Sequence, residues 1–126
     1  MLSIKYVIAR HLFAIFTKPN NYYMLTEEAI LEIAEWFNKK IEAESGIDTI
    51  LVHEYTIKKP YGDVFFYTSK KYYETHDDRY AVAGNARFLV ENTTGKIIEF
   101  GTAMNTEYYL EEYEAGRWPD NRRLLF

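Results

Sequence analysis

The sequence contains no cysteine among its 126 residues. Disulfide bonds, thiolate nucleophiles and zinc sites that depend on cysteine are therefore excluded. A chain without cysteine is compatible with a reducing cytoplasm, and we expect the protein to be cytoplasmic.

The sequence also lacks an excess of positive charge. Its formal net charge is -4 and its isoelectric point is about 5.4. A basic patch is the usual electrostatic footprint of a nucleic-acid-binding domain. The balance of charge argues against nucleic acid as a partner and favours a basic or neutral one.

No hydrophobic run is long enough to cross a bilayer, which takes about 20 apolar residues. The apolar N-terminal stretch is interrupted by Lys5, Arg10 and His11. Residues 1–24 are predicted to form an extension that is helical in part and docks on the domain or on a second copy, which makes the segment a candidate homodimer contact. A helix on a membrane surface is the alternative, but we expect no membrane partner.

Recognisable catalytic and cofactor motifs are missing as well. The sequence has no phosphate-binding loop, no nucleophile elbow and no paired-histidine zinc motif. Its three histidines, His11, His53 and His76, lie far apart and show no metal-ligand spacing. We therefore predict no catalytic residue, no cofactor and no metal, and we expect that the protein is not an enzyme.

Two helices are indicated by their capping residues and by apolar residues at helical spacing. Thr26 is a typical N-cap and Gly46 a typical C-terminal stop, which predicts a helix over 26–45. Asn105 is the expected cap of a second helix over 106–115, which is rich in glutamate. Trp118, which follows this helix, is predicted to dock on the domain.

Between the helices, β-branched and aromatic stretches predict four strands. Residues 47–60 favour one strand, with Leu51, His53, Tyr55 and Ile57 on one face, and 62–69 favour a second. Residues 84–102 predict a hairpin whose turn, 92–95, ends on a left-handed Gly95.

Pairing Asn92 with Lys96 in this hairpin places Val90 opposite Ile98 and Phe88 opposite Phe100, which gives one wholly apolar face. Gly84 and Gly101 are predicted to shape the backbone at the two ends. Residues 25–126 are thus predicted to form a single α+β domain, a four-stranded antiparallel sheet with helices packed on one face.

Two surfaces remain as candidates for binding. Residues 70–83 are polar and aromatic without a clean period, which predicts a long connection, and long connections often carry function. Tyrosine is a common interface anchor, and acidic groups steer basic partners. The alternative is a solvated loop whose tyrosines pack at the rim of the sheet. The predicted partner-binding residues from this connection and the last helix are Tyr72, Tyr73, Glu74, Asp77, Asp78, Glu111 and Glu112.

Several short motifs over residues 25–115 resemble the immunity protein 35 family, which includes small YrhB-type domains from bacterial toxin loci. The matching pieces are Ala29-Ile30, the strand "GDVFFYTS" (62–69), Gly84-Asn85, the turn 92–95, Gly101-Thr102-Ala103 and the helix through Tyr113-Glu114. The resemblance implies a cytoplasmic protein that neutralises a cognate protein toxin by binding it, without catalytic residues.

Two other functions are consistent with the residues. An apolar N-terminal segment and a Leu-Leu-Phe tail favour a stress-related, chaperone-like or general protein-interaction domain. A sheet covered by a helix also favours a small-molecule pocket between the two layers.

Overall fold

The computed structural model describes residues 16–17, 23–81 and 86–119. The predictions for most of the N-terminal segment, for Gly84-Asn85 and for the Leu-Leu-Phe tail lie outside these residues. The strands and helices are β1 Phe16–Thr17, β2 Tyr23–Met24, α1 Glu27–Ser45, β3 Thr49–Leu51, β4 Ile57–Lys59, β5 Gly62–Ser69, α2 Lys70–Thr75, β6 Arg87–Glu91, β7 Ile97–Glu99 and α3 Thr106–Glu114, with single turns of 3₁₀-helix at His53–Tyr55 and Asp78–Tyr80.

Helix α1 has the predicted bounds because both of its ends are specified locally. The Thr26 hydroxyl accepts a hydrogen bond from the Ala29 N–H at 3.1 Å, and two glutamates occupy the first turn. Gly46 ends the helix with a φ of 73°. The stripe that includes Ile33 and Phe37 is buried, so the predicted apolar face is confirmed.

The sheet is antiparallel throughout, in the order β3-β5-β6-β7, with β4 also paired to β5. The α+β class is therefore confirmed. Where the sequence predicts one strand over 47–60, the structure has two, because the turn at His53–Tyr55 interrupts it. β3 pairs with the end of β5 and β4 with its beginning, so one predicted strand position is occupied by two short strands.

This interruption changes which side chains near the break are exposed and which are buried. The Val52 N–H donates to the Phe66 carbonyl at 2.8 Å, after which the chain turns away from β5. His53 and Tyr55 are exposed, whereas Leu51 is buried. The prediction that these side chains share one face with Ile57 was wrong.

The hairpin register differs by one residue from the predicted one. Val90 lies opposite Ile97, and Phe88 opposite Glu99. The physical reason is that Asn92 is held by another part of the chain: its N–H and its side-chain amide donate to the carbonyls of Tyr61 and Pro60, each at 2.9 Å. Glu91 pairs with Lys96 instead. Gly95 has the predicted left-handed conformation, with a φ of 73°.

Both faces of the sheet are buried as a result. Phe88 and Val90 pack in the core beneath α1, whereas Leu89 and Ile98 pack in a second core beneath α3. Successive residues of a strand point to opposite faces. The helices therefore lie on opposite faces of the sheet, rather than on the single face that the apolar pattern predicted.

Helix α3 begins at the predicted cap, where the Asn105 side chain accepts from the Tyr108 N–H at 2.9 Å. Its buried residues include Tyr109, which stacks on Phe100 with ring centroids 5.6 Å apart. Trp118 docks as predicted, with its indole N–H 3.0 Å from the Glu99 carbonyl. A Cβ on Gly101 would overlap the phenol of Tyr109, which gives this glycine a packing role.

Two tyrosine–glutamate pairs fasten the end of α3 to the sheet. The Tyr61 hydroxyl donates to Glu114 and the Tyr113 hydroxyl to Glu91, each at 2.5 Å, and the two rings lie 5.0 Å apart. Burial, with the adjacent carboxylate, raises the pKa of both tyrosines well above the ordinary value of 10. We call these four residues the tyrosine clasp.

The tyrosine clasp predicts a loss of stability at alkaline pH. A group whose pKa is raised by folding contributes stability that is complete below its unfolded pKa, about 10 for tyrosine, and is lost as the pH rises towards the folded value. We expect the free energy of unfolding to fall above about pH 10, and to fall less steeply after Tyr61→Phe and Tyr113→Phe together. Urea unfolding followed by tryptophan fluorescence measures this, and equal slopes in both proteins would contradict it.

Candidate partner-binding site

The predicted long connection begins with a short helix. The Ser69 hydroxyl caps α2 by accepting from the Tyr72 N–H at 2.9 Å, and it donates to the Tyr80 carbonyl at 2.5 Å. One buried serine thus ties the start of α2 to the 3₁₀ turn that follows it. The segment is a helical corner at the end of β5, and the only local sequence indication of it was Ser69 itself.

Five of the predicted binding residues lie together on this corner. Tyr72 is half-buried, and Tyr73, Glu74 and Asp78 are exposed, while Asp77 caps the 3₁₀ turn. The other two belong to α3, on the opposite face of the sheet from α1. We call the first set the corner surface and treat it apart from the acidic helix.

The corner surface and the acidic helix are separated along β5. The corner follows Ser69 at the end of β5, whereas the last turn of α3 contacts Tyr61, just before Gly62 at the beginning of the strand. The eight residues of β5 are separated by seven steps of about 3.3 Å, which span roughly 23 Å between these ends. This separation makes the corner surface and the acidic helix two surfaces.

Two of the predicted carboxylates are engaged by arginines close by in sequence. Arg79 contacts Asp77 at 2.6 Å, and Arg117 contacts Glu112 at 2.6 Å. The hydrogen bonds from Arg79 hold the pKa of Asp77 below its usual value. These two carboxylates therefore add little net negative charge to either surface. Negative charge alone is for this reason a weak indication that either surface binds a basic partner.

An aromatic groove runs beside α2, and sequence reasoning found only part of it. Its volume is about 620 Å³, and we define it by seven side chains: Glu54, Tyr55, Phe66, Tyr67, Tyr72, Tyr73 and His76. Tyr55 and Tyr73 are 64% and 37% exposed. The groove exists because the turn at His53–Tyr55 projects Glu54 and Tyr55 towards the corner surface, which a continuous strand would not do.

Specific contacts order the walls of the aromatic groove. Tyr55 meets Phe66 edge to face, with ring centroids 6.3 Å apart. The Tyr73 hydroxyl donates to Glu54 Oε2 at 3.1 Å, which joins the 3₁₀ turn to α2. On the α2 side of the groove, the ring centroids of Tyr72 and His76 lie 6.2 Å apart. The groove is thus a surface of oriented rings with one carboxylate.

His76 adopts an uncommon backbone conformation at the edge of this groove. Within the described ranges it is the one residue other than glycine with a positive φ, 56°. Its N–H closes α2 on the Tyr72 carbonyl at 2.7 Å. A left-handed conformation costs a non-glycine residue on the order of 1 kcal/mol, and such residues concentrate at functional sites. In this position His76 is the left-handed C-cap that ends α2.

A second cleft lies on the other side of α2. It has a volume of about 800 Å³ between α2 and the end of α1, and its charged lining is Lys70, Lys71 and Arg79 together with Asp48 and Glu74. The ammonium of Lys71 lies 4.7 Å from the centre of the Tyr80 ring. We call it the basic cleft, because its cationic side chains outnumber its carboxylates by one. Helix α2 therefore lies between a charged cleft and an aromatic groove.

Two other kinds of site are absent from the described part of the chain. Residues 16–17, 23–81 and 86–119 contain no group of three or more histidine, aspartate or glutamate side chains arranged to hold a metal ion. In the same residues, no helix is long and apolar enough to cross a membrane.

Comparison with known proteins gives one partial match. No family model and no solved structure matches the chain. The described residues form a small α+β domain. Over 53 residues, the sequence of this chain is 38% identical to the protein "Uncharacterized protein YrhB" of Escherichia coli (strain K12). The match covers 42% of this chain and 56% of YrhB, so it spans about half of each protein. The YrhB-type likeness is thereby confirmed over that length.

Proposed function

We propose that this protein is an immunity protein that binds a cognate bacterial toxin and neutralises it by protein–protein contact. The observation that carries the proposal is the aromatic groove, where Tyr55 and Tyr73 are exposed beside a rigid helical corner. The motif resemblance to the immunity protein 35 family over residues 25–115 supports it.

Inhibition requires only that the bound surface cover the toxin's active site or the path of its substrate. A stable interface buries about 800 Å² on each partner, and a few aromatic or arginine residues near its centre carry most of the affinity. Tyr55 lies on the 3₁₀ turn, and Tyr73 and His76 lie on α2 and its C-cap, and the hydrogen bond from Tyr73 to Glu54 joins the turn to the helix. We place them at the centre of the toxin contact, with Glu74 and Asp78 at its rim.

Co-expression with the toxins encoded next to this gene tests the proposal. We expect growth rescue and a complex that copurifies with one of them. Tyr73→Ala should weaken that complex about 10-fold or more, because a central tyrosine contributes more than 1 kcal/mol to such an interface. Isothermal titration calorimetry measures the change, and growth at graded toxin expression reports its consequence.

Tyr108→Ala is the matched control, since Tyr108 is 39% exposed, almost the same as Tyr73, but belongs to α3. We expect its effect on affinity to stay within about threefold. The reverse pattern would move the contact to the acidic helix. Failure to rescue growth or form a complex with any neighbouring toxin would contradict the proposed function.

A further inference from the structure

We infer that the aromatic groove is a binding site for a cationic side chain, an arginine or lysine that the bound protein inserts between the 3₁₀ turn His53–Tyr55 and α2. The inference rests on the proposed function for the identity of the partner, but the groove's preference for a cation is a property of this chain alone. It is carried by the chemistry of the lining, by its volume and by the contrast with the basic cleft.

The lining combines aromatic rings with a single negative charge. Four tyrosines and Phe66 surround Glu54, and no lysine or arginine of the described residues lines the groove. Ring faces attract a cation within about 6 Å of the ring centre, most strongly where water is excluded. A carboxylate beside such rings adds a charge-assisted hydrogen bond to the same ligand.

Glu54 is oriented and still able to accept further hydrogen bonds. An ionised carboxylate has two oxygens and about four acceptor sites. Tyr73 donates to Oε2 at 3.1 Å, which fixes the direction of the group. A guanidinium can then approach the remaining acceptor positions while its plane lies against an aromatic ring.

Other occupants fit the lining less well. An anion would meet the negative charge of Glu54. A purely apolar side chain would cover that carboxylate without supplying a partner, and burying an unpaired charge is unfavourable. Arginine and lysine have an apolar stem for the rings and a charged head for Glu54. The volume of about 620 Å³ accommodates such a side chain with part of its backbone.

The basic cleft gives an internal contrast. Helix α2 lies between it and the aromatic groove, and its lining has three cationic side chains against the carboxylates of Asp48 and Glu74. In the aromatic groove, Glu54 has no lysine or arginine beside it among the described lining residues. A basic segment of the partner is therefore favoured more by the aromatic groove than by the basic cleft.

Titration of the ¹⁵N-labelled full-length chain with N-acetyl-argininamide, followed by amide chemical shifts, tests the inference. We expect saturable shifts at residues 54–55 and 72–76, with a dissociation constant on the order of millimolar. N-acetyl-citrullinamide has nearly the same shape without the charge, and it should bind at least about 10-fold more weakly. N-acetyl-lysinamide reports whether the planar guanidinium is preferred over an ammonium.

Two variants and a matched control assign the site. Glu54→Gln and Tyr55→Leu should each weaken N-acetyl-argininamide binding by about fivefold or more, because each removes one attraction to the cation. Glu28→Gln is the control, since Glu28 is exposed in the first turn of α1 and does not line the aromatic groove, and it should leave binding unchanged. Equal affinity for the neutral citrulline compound, no effect of Glu54→Gln, or shifts confined to other residues would overturn the inference.

The outcomes of this titration distinguish a failure of the cationic-side-chain inference from a failure of the proposed function. Cation-selective shifts at the groove, together with the absence of any toxin complex, would uphold the inference about the site and contradict the immunity function. A toxin complex that Tyr73→Ala weakens, without selective binding of the arginine compound, would uphold the function and overturn the cationic-side-chain inference.

Discussion

Phe88→Ala is expected to lower the free energy of unfolding by about 3–5 kcal/mol, the usual cost of truncating a buried phenylalanine. Phe88 is fully buried, and its ring centre lies 4.7 Å from that of Phe37, 5.7 Å from that of Phe65 and 6.1 Å from that of Tyr67. Phe37 belongs to α1 and the other two residues belong to β5. The packing of these elements limits how far the three side chains can move into the cavity that the substitution leaves. Natural domains have only about 5–15 kcal/mol of stability, so the variant should be close to unfolding.

Leu89→Ala, one residue further along, tests whether both faces of the sheet are cores. Leu89 is also fully buried but packs beneath α3, and its truncation should cost about 2–5 kcal/mol. Leu31→Ala on the outer side of α1 is the control, because this leucine is 41% exposed and should cost less than about 1 kcal/mol. Urea unfolding measures all three. A small effect of Leu89→Ala would contradict the two-sided packing.

The helices were predictable because their ends are determined by residues close in sequence. Thr26 and Asn105 each cap a helix through the N–H three residues ahead, and Gly46 ends α1 within one turn. A local pattern contains all of this information. The same local rule would have identified α2 from Ser69, but its short helix lacks an apolar stripe to draw attention to it.

The hairpin register was not predictable in the same way. It depends on Asn92, whose side chain donates to the carbonyl of Pro60, 32 residues earlier in the chain. Its own carbonyl accepts from the Leu25 N–H at 2.7 Å. Nothing in the hairpin sequence reports these distant partners. A shift of one residue exchanges the two faces of a strand. The distant contacts of Asn92 therefore also explain why the helices lie on opposite faces of the sheet and not on the single predicted face.

The candidate site was predictable only in part for a related reason. Tyr72 and Tyr73 stood out because they are adjacent in an aromatic, polar segment. Tyr55 and Phe66 reach the groove from two other elements, and the break between β3 and β4 that projects Tyr55 has no distinctive sequence. A groove assembled from three separate segments is a property of the fold, so the sequence indicated Tyr72 and Tyr73 but neither Tyr55 and Tyr67 nor the carboxylate of Glu54.

Gly62→Ala is expected to destabilise the domain by at least about 3 kcal/mol, because the new methyl group would overlap backbone rather than a movable side chain. An ideal Cβ at Gly62 meets the carbonyl oxygen of Val90 on the neighbouring strand. Gly62 is paired with Lys59 on one side and Glu91 on the other, so relief on either side disturbs a ladder. Thermal and urea unfolding measure the loss.

Gly46→Ala separates this overlap from the general cost of replacing a glycine. Gly46 has a φ of 73° and open space around its Cα, so its substitution meets conformational strain alone and should cost about 1–2 kcal/mol. The additional loss of stability in Gly62→Ala, relative to Gly46→Ala, measures how closely β6 approaches β5. If the two variants lose equal stability, β6 does not press on β5 at this point, and the register that buries Leu89 beneath α3 is contradicted together with it.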